Sequence, residues 1–487
     1  MTSVLPYLTG VILAWPLWRT IGRPDVAHLM GASQRARVLV AGIGGFYVIV
    51  SLAAFLGPPA LQVGLALLSL AILGVFLYCT APGFGRRGGL PPGSLLPFGY
   101  MEQVDDRFLL KQAAQHGGVF KIIQAWQPTI CLVGMERIGT LLRQHDTRMA
   151  RVEMPYSRLI PNGFLRYMGR TAHERYRPHL AKAVALAGDE DKAPVLEASL
   201  AAGLARIEVA DFAPVDVLPA IVQRLFIQIF FGVAAESDDM HRAEVLYGTL
   251  GCRHLTQARS KTGGAALGEL VTLVRDIQAQ ESQPVCALGT LVAEDRSVLG
   301  DETVVANLVC MVQVGSHDLA SLLVWVWKLL SDNPDWQSRL RMELDRGETG
   351  SAGRIISESL RLEQSEYLKR RALETLDFEG FKIPKGWNVQ MCLRESHQDQ
   401  AVFEQPRVFN PDRFLGDAPP AKGYAPFGMG RRGCPAQLVT YLLGTCFLRA
   451  LIGRYDWQVV REGTRAHNGF HWTPSPAFRV KLLPRSA

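Results

Sequence analysis

The 487-residue sequence lacks several patterns that would place it in a well-defined class. None of its eight cysteines forms a Cys-x-x-Cys pair, which excludes a zinc-ribbon framework, and eight are too few for a disulfide-dense scaffold. Only 20% of the residues are charged and 48% are hydrophobic, with no repeated or low-complexity segment, which excludes a disordered chain and a coiled coil. The length and the apolar fraction predict a folded protein with a sizeable core.

The positive charge is distributed unevenly along the chain. The first 90 residues contain six Arg, no Lys and a single acidic residue, Asp25, and so carry +5 of the formal net charge of +7. The remaining 397 residues are almost neutral, with 46 basic and 44 acidic side chains. Binding of nucleic acid needs a basic surface on the folded body, so this distribution argues against a nucleic-acid partner.

The N-terminal segment also contains two uncharged apolar runs, at residues 38–56 and 60–79. Each run has about 20 residues, enough to cross the hydrocarbon core of a bilayer. Gly57-Pro58-Pro59 between them predicts a turn. Arginines precede the first run and follow the second, so the positive-inside rule places both ends of the pair on the cytoplasmic side.

We therefore predict a membrane anchor over residues 1–87, with a helical hairpin at 38–79. A shorter apolar stretch at residues 4–18 is interpreted as a short span, an interfacial segment or part of a signal sequence. A hairpin buried in a protein core is the alternative for the two long runs. Gly and Pro cluster at residues 82–93, which predicts that the globular body, residues 88–487, begins there.

The body is predicted to be mainly α with a small β region and to form a single large domain. Helical periodicity dominates residues 171–344, and a strongly apolar helix is predicted at 438–451. The remaining predicted elements are short strands at 119–123 and 129–133, a helix at 135–144, and strands between 368 and 391 with a hairpin turn at 381–386.

The most informative stretch of the body reads Phe427-Gly428-Met429-Gly430-Arg431-Arg432-Gly433-Cys434-Pro435-Ala436. Three glycines and a proline predict an irregular loop, and this loop leads directly into the apolar helix. A thiolate at Cys434 would be stabilised by the two arginines, by backbone N–H groups and by the helix N-terminus. Such a thiolate is a suitable axial ligand for haem iron, and Arg suits a haem propionate. A Gly-rich turn with a structural cysteine is the alternative.

This stretch resembles the ligand loop of the cytochrome P450 family, Phe-x-x-Gly-x-Arg-x-Cys-x-Gly, with Ala436 in place of the last Gly. The resemblance implies that heme b is the cofactor and that Cys434 is its axial iron ligand. It further implies that Arg432 contacts a propionate and that Phe427 packs near the sulfur, with Gly428 in the same cofactor-binding loop. The fold that it implies is the cytochrome P450 fold, preceded here by N-terminal transmembrane helices.

Two further segments match motifs of the family in the same order along the chain. Glu358-Ser359-Leu360-Arg361 matches Glu-x-x-Arg, in which the two charges lie three residues apart on one helical face. Residues 409–414 resemble the segment whose arginine joins that pair, here Arg413. The resemblance therefore implies a buried triad of Glu358, Arg361 and Arg413 that supports the ligand loop without touching substrate.

Additional propionate contacts are implied at three places. His173 and Arg177 lie on one face of a predicted helix and resemble the pair that reaches one propionate. A basic surface helix is the alternative for this segment. Arg370 or Arg371, before a strand, and His397 occupy positions where the family often supplies further contacts.

The sequence departs from the family in the long apolar helix, where the pattern Ala/Gly-Gly-x-Asp/Glu-Thr is expected. The acid is present as Asp318, but Leu319 replaces Thr, whose hydroxyl helps to deliver protons in the family. Leu cannot donate a hydrogen bond. A hydroxyl of the substrate, or Ser316 or Ser321 together with a water, is a conceivable substitute. Of the two serines, Ser316, one turn earlier, is the better candidate, because Ser321 is rotated by roughly 200° from Leu319. His317 is a further candidate proton donor, with a packing role as its alternative. We therefore predict Asp318 and Ser316 as catalytic residues.

The resemblance implies a haem-thiolate monooxygenase that oxidises an apolar small molecule (a lipid, terpenoid, steroid or polyketide-like compound) with O₂. No Gly-x-Gly-x-x-Gly follows a predicted strand, so electrons from NAD(P)H are expected to come through a separate partner, a reductase or a ferredoxin. The anchor places the protein in a membrane, with the haem domain on the cytoplasmic side. Because of Leu319, two alternatives stay open: an atypical haem-thiolate enzyme that desaturates, couples, rearranges or uses peroxide, and a non-catalytic haem-based ligand-binding protein.

Overall fold

The computed structural model describes most of the body of the chain. The described ranges are 89–95, 105–124, 127–152, 159–207, 211–251, 261–280, 286–364, 367–416, 423–467 and 471–485. Near the N-terminus it describes only positions 58–60, 63, 64, 67, 70 and 71, which are exposed and, apart from Pro58, helical. The rest of the predicted hairpin at 38–79, and the stretch at 4–18, lie outside the described residues.

The body is mainly helical, as predicted. Its helices are α1 (Phe108–His116), α2 (Met135–His145), α3 (Arg170–Ala187), α4 (Ala193–Ala205), α5 (Pro214–Phe231), α6 (Asp238–Leu250), α7 (Lys261–Gln278), α8 (Ala287–Glu294), α9 (Ser297–Gly300), α10 (Glu302–Asp332), α11 (Pro334–Asp345), α12 (Gly350–Ser359), α13 (Leu393–Ser396) and α14 (Gln437–Arg454).

The small β region contains short strands. They are β1 (Val119–Gln124), β2 (Gln127–Leu132), β3 (Met149–Arg151), β4 (Tyr367–Ala372), β5 (Leu376–Phe378), β6 (Phe381–Ile383), β7 (Asn388–Cys392), β8 (Tyr455–Arg461), β9 (Arg465–His467), β10 (Trp472–Pro474) and β11 (Arg479–Pro484).

The chain divides into two compact units, of which the first comprises residues 1–132 and 371–390. Here β1 and β2 pair antiparallel, with Val119 opposite Leu132, and β5 pairs with β6. The predicted hairpin turn at 381–386 is right only in its second half, because residues 381–383 form β6 and a turn follows at Lys385-Gly386. The turn between β5 and β6 is Glu379-Gly380, and both residues have positive φ, 49° and 77°. A Gly at the second position of the turn favours positive φ. Strand β6 therefore begins directly after Gly380, at Phe381, where the turn was expected to begin.

The second unit comprises residues 133–370 and 391–487, and its core surrounds α10. This helix begins at Asp301, whose carboxylate accepts the amide of Thr303 at 2.9 Å. Helices α5 and α10 are apolar and long enough to cross a membrane, but 50% and 67% of their apolar windows are buried in the fold. They are therefore core helices, and they do not test the predicted anchor.

A buried amide fixes the segment before α3 to the N-terminal part of α10. The side chain of Asn307 accepts a hydrogen bond from the backbone of Leu165 at 2.7 Å and donates to the carbonyls of Gly163 (3.1 Å) and Thr303 (2.7 Å). Asn307 is fully buried, so these bonds replace the water that its amide would otherwise bind. They set the position of the following residues, which lead into α3.

Candidate functional site

The loop that precedes α14 presents Cys434 at a helix N-terminus. Gly428 and Gly430 adopt φ of 78° and 72°, the left-handed region in which a side chain is strained. The N–H of Cys434 donates to the carbonyl of Phe427 at 2.7 Å and closes the loop. The N–H of Ala436 approaches the sulfur of Cys434 at 3.4 Å. The Gly-rich sequence therefore folds into a tight loop that directs a backbone amide towards the thiol.

The electrostatic surroundings of Cys434 differ from the expectation. Part of the Cys434 side chain is accessible to solvent, yet the thiol lies deep enough that burial raises its pKa. The charge of Asp318 raises the pKa further, whereas the hydrogen bond from the Ala436 amide lowers it. Arg432 is directed to the carbonyl of Met168 (2.9 Å), and Arg431 is 85% exposed. The arginines that act on the thiol and lower its pKa are Arg166 and Arg177, which are distant from it in sequence. A metal ion, which deprotonates a coordinating thiol outright, would supply the missing stabilisation.

Basic side chains from four segments converge beside this loop. This cationic cluster, as we define it, consists of Arg151, Arg166, His173, Arg177, Arg370 and Arg432, which act on one another electrostatically. Arg177 donates to the carbonyl of Gly433 at 3.0 Å, and Arg370 lies 3.4 Å from the carboxylate of Asp146. His173, Arg177, Arg370 and Arg432 were predicted from the sequence, whereas Arg151 and Arg166 were not.

The members of the cationic cluster destabilise one another's charge. Burial, together with neighbouring guanidinium groups, lowers the pKa of Arg151 to about 9 and that of His173 to about 4. Burial lowers the pKa of Arg370 to about 10, although Asp146 acts in the opposite direction. Two carboxylates placed here would relieve this repulsion. A thiol on a helix N-terminus beside such a cluster is the donor set that suits haem, with its iron and two propionates, so the residues present fit this cofactor.

His397 lies away from the cationic cluster, so its predicted propionate contact is not supported. It is fully buried, its Nε2 accepts the amide of Ala425 at 3.1 Å, and its carbonyl accepts Arg361 at 3.0 Å. Burial, reinforced by the charge of Arg361, lowers its pKa to about 3. A neutral ring that accepts a backbone hydrogen bond has a structural role. Of the two arginines considered before the strand, Arg370 is buried and Arg371 is exposed.

This histidine leads to a prediction about pH. Folded His397 takes up a proton only near pH 3, whereas an unfolded histidine does so near its ordinary pKa of 6.5. The unfolded state therefore binds more protons below pH 6.5, and the free energy of unfolding falls as the pH falls from about 6.5 towards 3. Replacing His397 with Gln should make this decline shallower, measured as the denaturation midpoint between pH 4 and 7. A decline as steep as that of the wild type would contradict the assignment.

The predicted charge triad is present and buried. Arg361 forms two bonds to the carboxylate of Glu358, at 2.7 and 2.8 Å, and Arg413 lies 3.2 Å from the same group. Glu358 also accepts the backbone N–H of Asn410 at 3.0 Å, and both Glu358 and Arg361 are 0% exposed. Arg413 additionally donates to carbonyls of the segment 404–408. The triad therefore fastens that segment to the end of α12.

The two residues predicted to be catalytic have different surroundings. The side chain of Asp318 is 47% exposed, and its carboxylate lies 2.7 Å from Nε2 of His471. Ser316 is buried, and its hydroxyl donates to the carbonyl of Gln313 within α10 at 3.2 Å. Leu319 is buried as well. Asp318 therefore carries open surface, whereas the hydroxyl of Ser316 is bonded within its own helix. Sequence reasoning missed His471, which belongs to no motif.

Asp318 belongs to the same site as Cys434. Although burial opposes its ionisation, the nearby His471, with His317 and Arg166, holds the pKa of Asp318 below its ordinary value. In turn, the charge of Asp318 raises the pKa of Cys434. The acid of the long core helix and the thiol of the loop are therefore within electrostatic reach of each other, with the cationic cluster alongside.

A mainly helical fold in which a cysteine loop, a core-helix acid and a cationic cluster meet defines the haem-thiolate class of proteins. The family model described as Cytochrome P450 matches residues 273–478. Over this range the chain is similar to the cytochrome P450 family, the family that its motifs resemble. Haem held by a cysteine thiolate is the cofactor of this family, and Cys434 is the cysteine of the ligand loop here.

Individual relatives support this assignment. The chain is 30% identical to abscisic acid 8'-hydroxylase 1 of Arabidopsis thaliana over 183 residues, 34% of this chain and 39% of that protein. It is 25% identical to a beta-amyrin 28-monooxygenase of Kalopanax septemlobus over 228 residues, 43% and 47% of the two chains. The match thus spans less than half of the length of these curated relatives.

A solved structure confirms the fold. The retinoic acid-bound cyanobacterial protein CYP120A1 superposes with a TM-score of 0.67 at 21% sequence identity. The alignment covers 81% of this chain and 100% of that structure. The predicted cytochrome P450 fold, mainly helical with a small β region, is therefore confirmed for the body of the chain.

Proposed function

We propose that the protein is a membrane-anchored haem-thiolate monooxygenase that oxidises an apolar small molecule with O₂. The observation that carries this proposal is that the loop of Cys434 meets the cationic cluster, where Arg177 donates to the carbonyl of Gly433 at 3.0 Å, and that the charge of Asp318 acts on the thiol. A cysteine with only a structural role, which binds no iron, would need neither an ionised acid nearby nor several buried cations. When bound, haem supplies the reductive activation of oxygen that inserts an oxygen atom into substrate.

The chain's own residues would perform three tasks. Cys434 would hold the iron, and the cationic cluster would bind the propionates and thereby orient the ring. Asp318 would hold a proton at its carboxylate, at the open face of α10. The buried triad of Glu358, Arg361 and Arg413 would support the ligand loop from behind and would not contact substrate.

The face of α10 that carries Asp318 supports an apolar substrate. Met311, Val314 and Gly315 retain partial exposure and lie seven, four and three residues before Asp318, on the same side of the helix. Two of them are apolar side chains, so a bound molecule would meet hydrocarbon next to one acid. The named relatives act on abscisic acid and beta-amyrin, and by analogy we favour a terpenoid-derived substrate among lipids, steroids and polyketide-like compounds.

The partner and the membrane are also part of the proposal. Electrons from NAD(P)H would come through a separate reductase or ferredoxin, and the exposed Arg431 beside the ligand loop would attract an acidic one. Val63, Leu67 and Leu70 are more than half exposed and lie on one face of a helix, at a spacing of four and three residues. Exposed apolar side chains in this arrangement support an anchor in lipid, with the haem domain on the cytoplasmic side.

Turnover tests the proposal directly. The haem-loaded full chain would be incubated with NADPH, a reductase and, in separate reactions, abscisic acid, beta-amyrin and retinoic acid. We expect a product one oxygen atom heavier than at least one of these probes, detected by mass spectrometry. If the probes bind but are not converted, either with the reductase or with hydrogen peroxide, the result would instead favour a non-catalytic haem-based ligand-binding protein.

Leu319 is the specific observation that favours a second candidate function. Without a hydroxyl at this position, an atypical reaction such as desaturation, coupling or rearrangement is the alternative, or oxidation driven by peroxide. The same assay separates the two candidates. A desaturated or coupled product, or turnover that requires hydrogen peroxide in place of the reductase, identifies the atypical enzyme.

A further inference from the structure

The carboxylate of Asp318 has a histidine partner from a distant part of the chain. Nε2 of His471 lies 2.7 Å from Oδ1 of Asp318, across 153 positions of sequence. The ring of His471 is largely buried, with 14% of its side chain exposed, whereas the carboxylate remains open. The histidine therefore contacts the acid from the protein side and leaves it accessible on the other.

The backbone holds His471 in this position. His471 immediately precedes β10, which pairs with β9 so that Trp472 is opposite His467. The indole N–H of Trp325 donates to the carbonyl of Trp472 at 2.6 Å, in the buried core. Trp325 lies seven residues after Asp318, two turns along the same face of α10. One face of α10 therefore makes both contacts: Trp325 bonds to the backbone of β10, and Asp318 lies beside His471.

We propose that His471 replaces the absent hydroxyl of Leu319 as the partner of Asp318, positioning its carboxylate and sharing a proton with it. The inference rests on the proposed function, because only a reaction that consumes protons needs such a pair. The step is balanced within the pair. The N–H bond at Nε2 of a protonated His471 breaks, an O–H bond forms at Oδ1 of Asp318, and imidazolium and carboxylate become neutral imidazole and carboxylic acid.

The surrounding charges are compatible with an acid–imidazole pair. From α10 itself, the ring of His317 lies 6.0 Å from the ring of His471. From the turn before α3, Arg166 favours the ionised form of Asp318, and from the ligand loop Cys434 is a further titratable group affected by Asp318. Despite burial, Asp318 keeps a pKa below its ordinary value, because of His471 first and His317 second. The carboxylate is thus kept ionised and can accept a hydrogen bond from the ring of His471.

Titration of the His471 ring tests the pairing without any substrate. The haem-loaded full chain, in its carbon-monoxide-bound ferrous form, would be labelled at histidine and titrated by NMR, with His471→Gln used to assign the signal. Replacing Asp318 with Asn should weaken proton binding to His471 at least tenfold, because a carboxylate at hydrogen-bond distance favours the imidazolium. His467, on the paired strand, is the internal control and should not shift. A His471 titration that is the same in Asp318→Asn as in the wild type would overturn the proposal.

A second measurement addresses proton delivery. With any probe that the wild type converts, His471→Gln should lower kcat about tenfold, leave KM within twofold and remove one limb of the pH profile of kcat, while His467→Gln leaves the profile unchanged. The double variant Asp318→Asn, His471→Gln should be no slower than Asp318→Asn alone, because the two residues act as a unit. An unchanged pH profile in His471→Gln would also overturn the proposal. Absence of product from the wild type would refute the proposed function instead, and the NMR titration would still decide whether the pair exists.

Discussion

Replacing Cys434 with Ala should abolish the red-shifted Soret band of the reduced, carbon-monoxide-bound protein, and with it all turnover. The thiol of Cys434 is the only thiol that the ligand loop offers to the iron. The loop itself is closed by the hydrogen bond from the backbone N–H of Cys434 to the carbonyl of Phe427, which Ala preserves. The variant therefore removes the axial ligand without removing the loop geometry. The measurement is the absorption spectrum after reduction with dithionite, together with the haem content of the purified protein.

Cys446 provides the matched control for this experiment. It lies in the same helix, α14, is buried, and places its sulfur 3.7 Å from the carbonyl of Ala193. Cys446→Ala should retain the band, since the sulfur of Cys446 lies outside the ligand loop and faces the carbonyl of Ala193. If Cys434→Ala also retained the band, a different residue would be the ligand and the assignment of the site would be wrong.

Replacing Glu358 with Ala should destabilise the fold by about 3–5 kcal/mol, because it leaves two buried guanidinium groups without their carboxylate. Arg361 and Arg413 both bond to Glu358, and the backbone of Asn410 does so as well. The expected result is a lower thermal denaturation midpoint and poor retention of haem, measured by circular dichroism and by the absorbance ratio of haem to protein.

Glu294 is a suitable control for the loss of a carboxylate. It pairs with Lys182 on the surface, where both side chains are about half exposed. An exposed pair contributes about 0–1 kcal/mol, so Glu294→Ala should leave the denaturation midpoint nearly unchanged. Equal effects of the two substitutions would show that the triad contributes no more than a surface ion pair.

Much of the site was predictable because its chemistry is local in the sequence. The loop at 427–436 combines conformationally special residues with the ligand, and Glu358 and Arg361 are neighbours on one helix turn. Even the long-range member of the triad, Arg413, belongs to a recognisable segment. Strands and helices with a clear periodicity, such as β1 and α14, were also placed to within a few residues.

The remaining features depend on tertiary contacts that no local pattern encodes. His471 reaches Asp318 only because a hydrogen bond to Trp325 places its strand. Arg151 belongs to the cationic cluster through the packing of β3, and its neighbours in sequence give no such signal. The pKa of Cys434 was misjudged because proximity in sequence to two arginines is not proximity of their charges to the sulfur.

The three hydrogen bonds of Asn307 bear on how the site opens. Two of them join residues 163–165 to the N-terminal part of α10, so this irregular segment cannot detach without stranding a buried amide in the core helix. Local opening of this segment should therefore require a free energy close to that of unfolding α10, although most irregular segments open at a much lower free energy. Amide hydrogens such as that of Leu165 would then exchange with solvent as slowly as those of the core. This side of the site therefore behaves as part of its rigid wall.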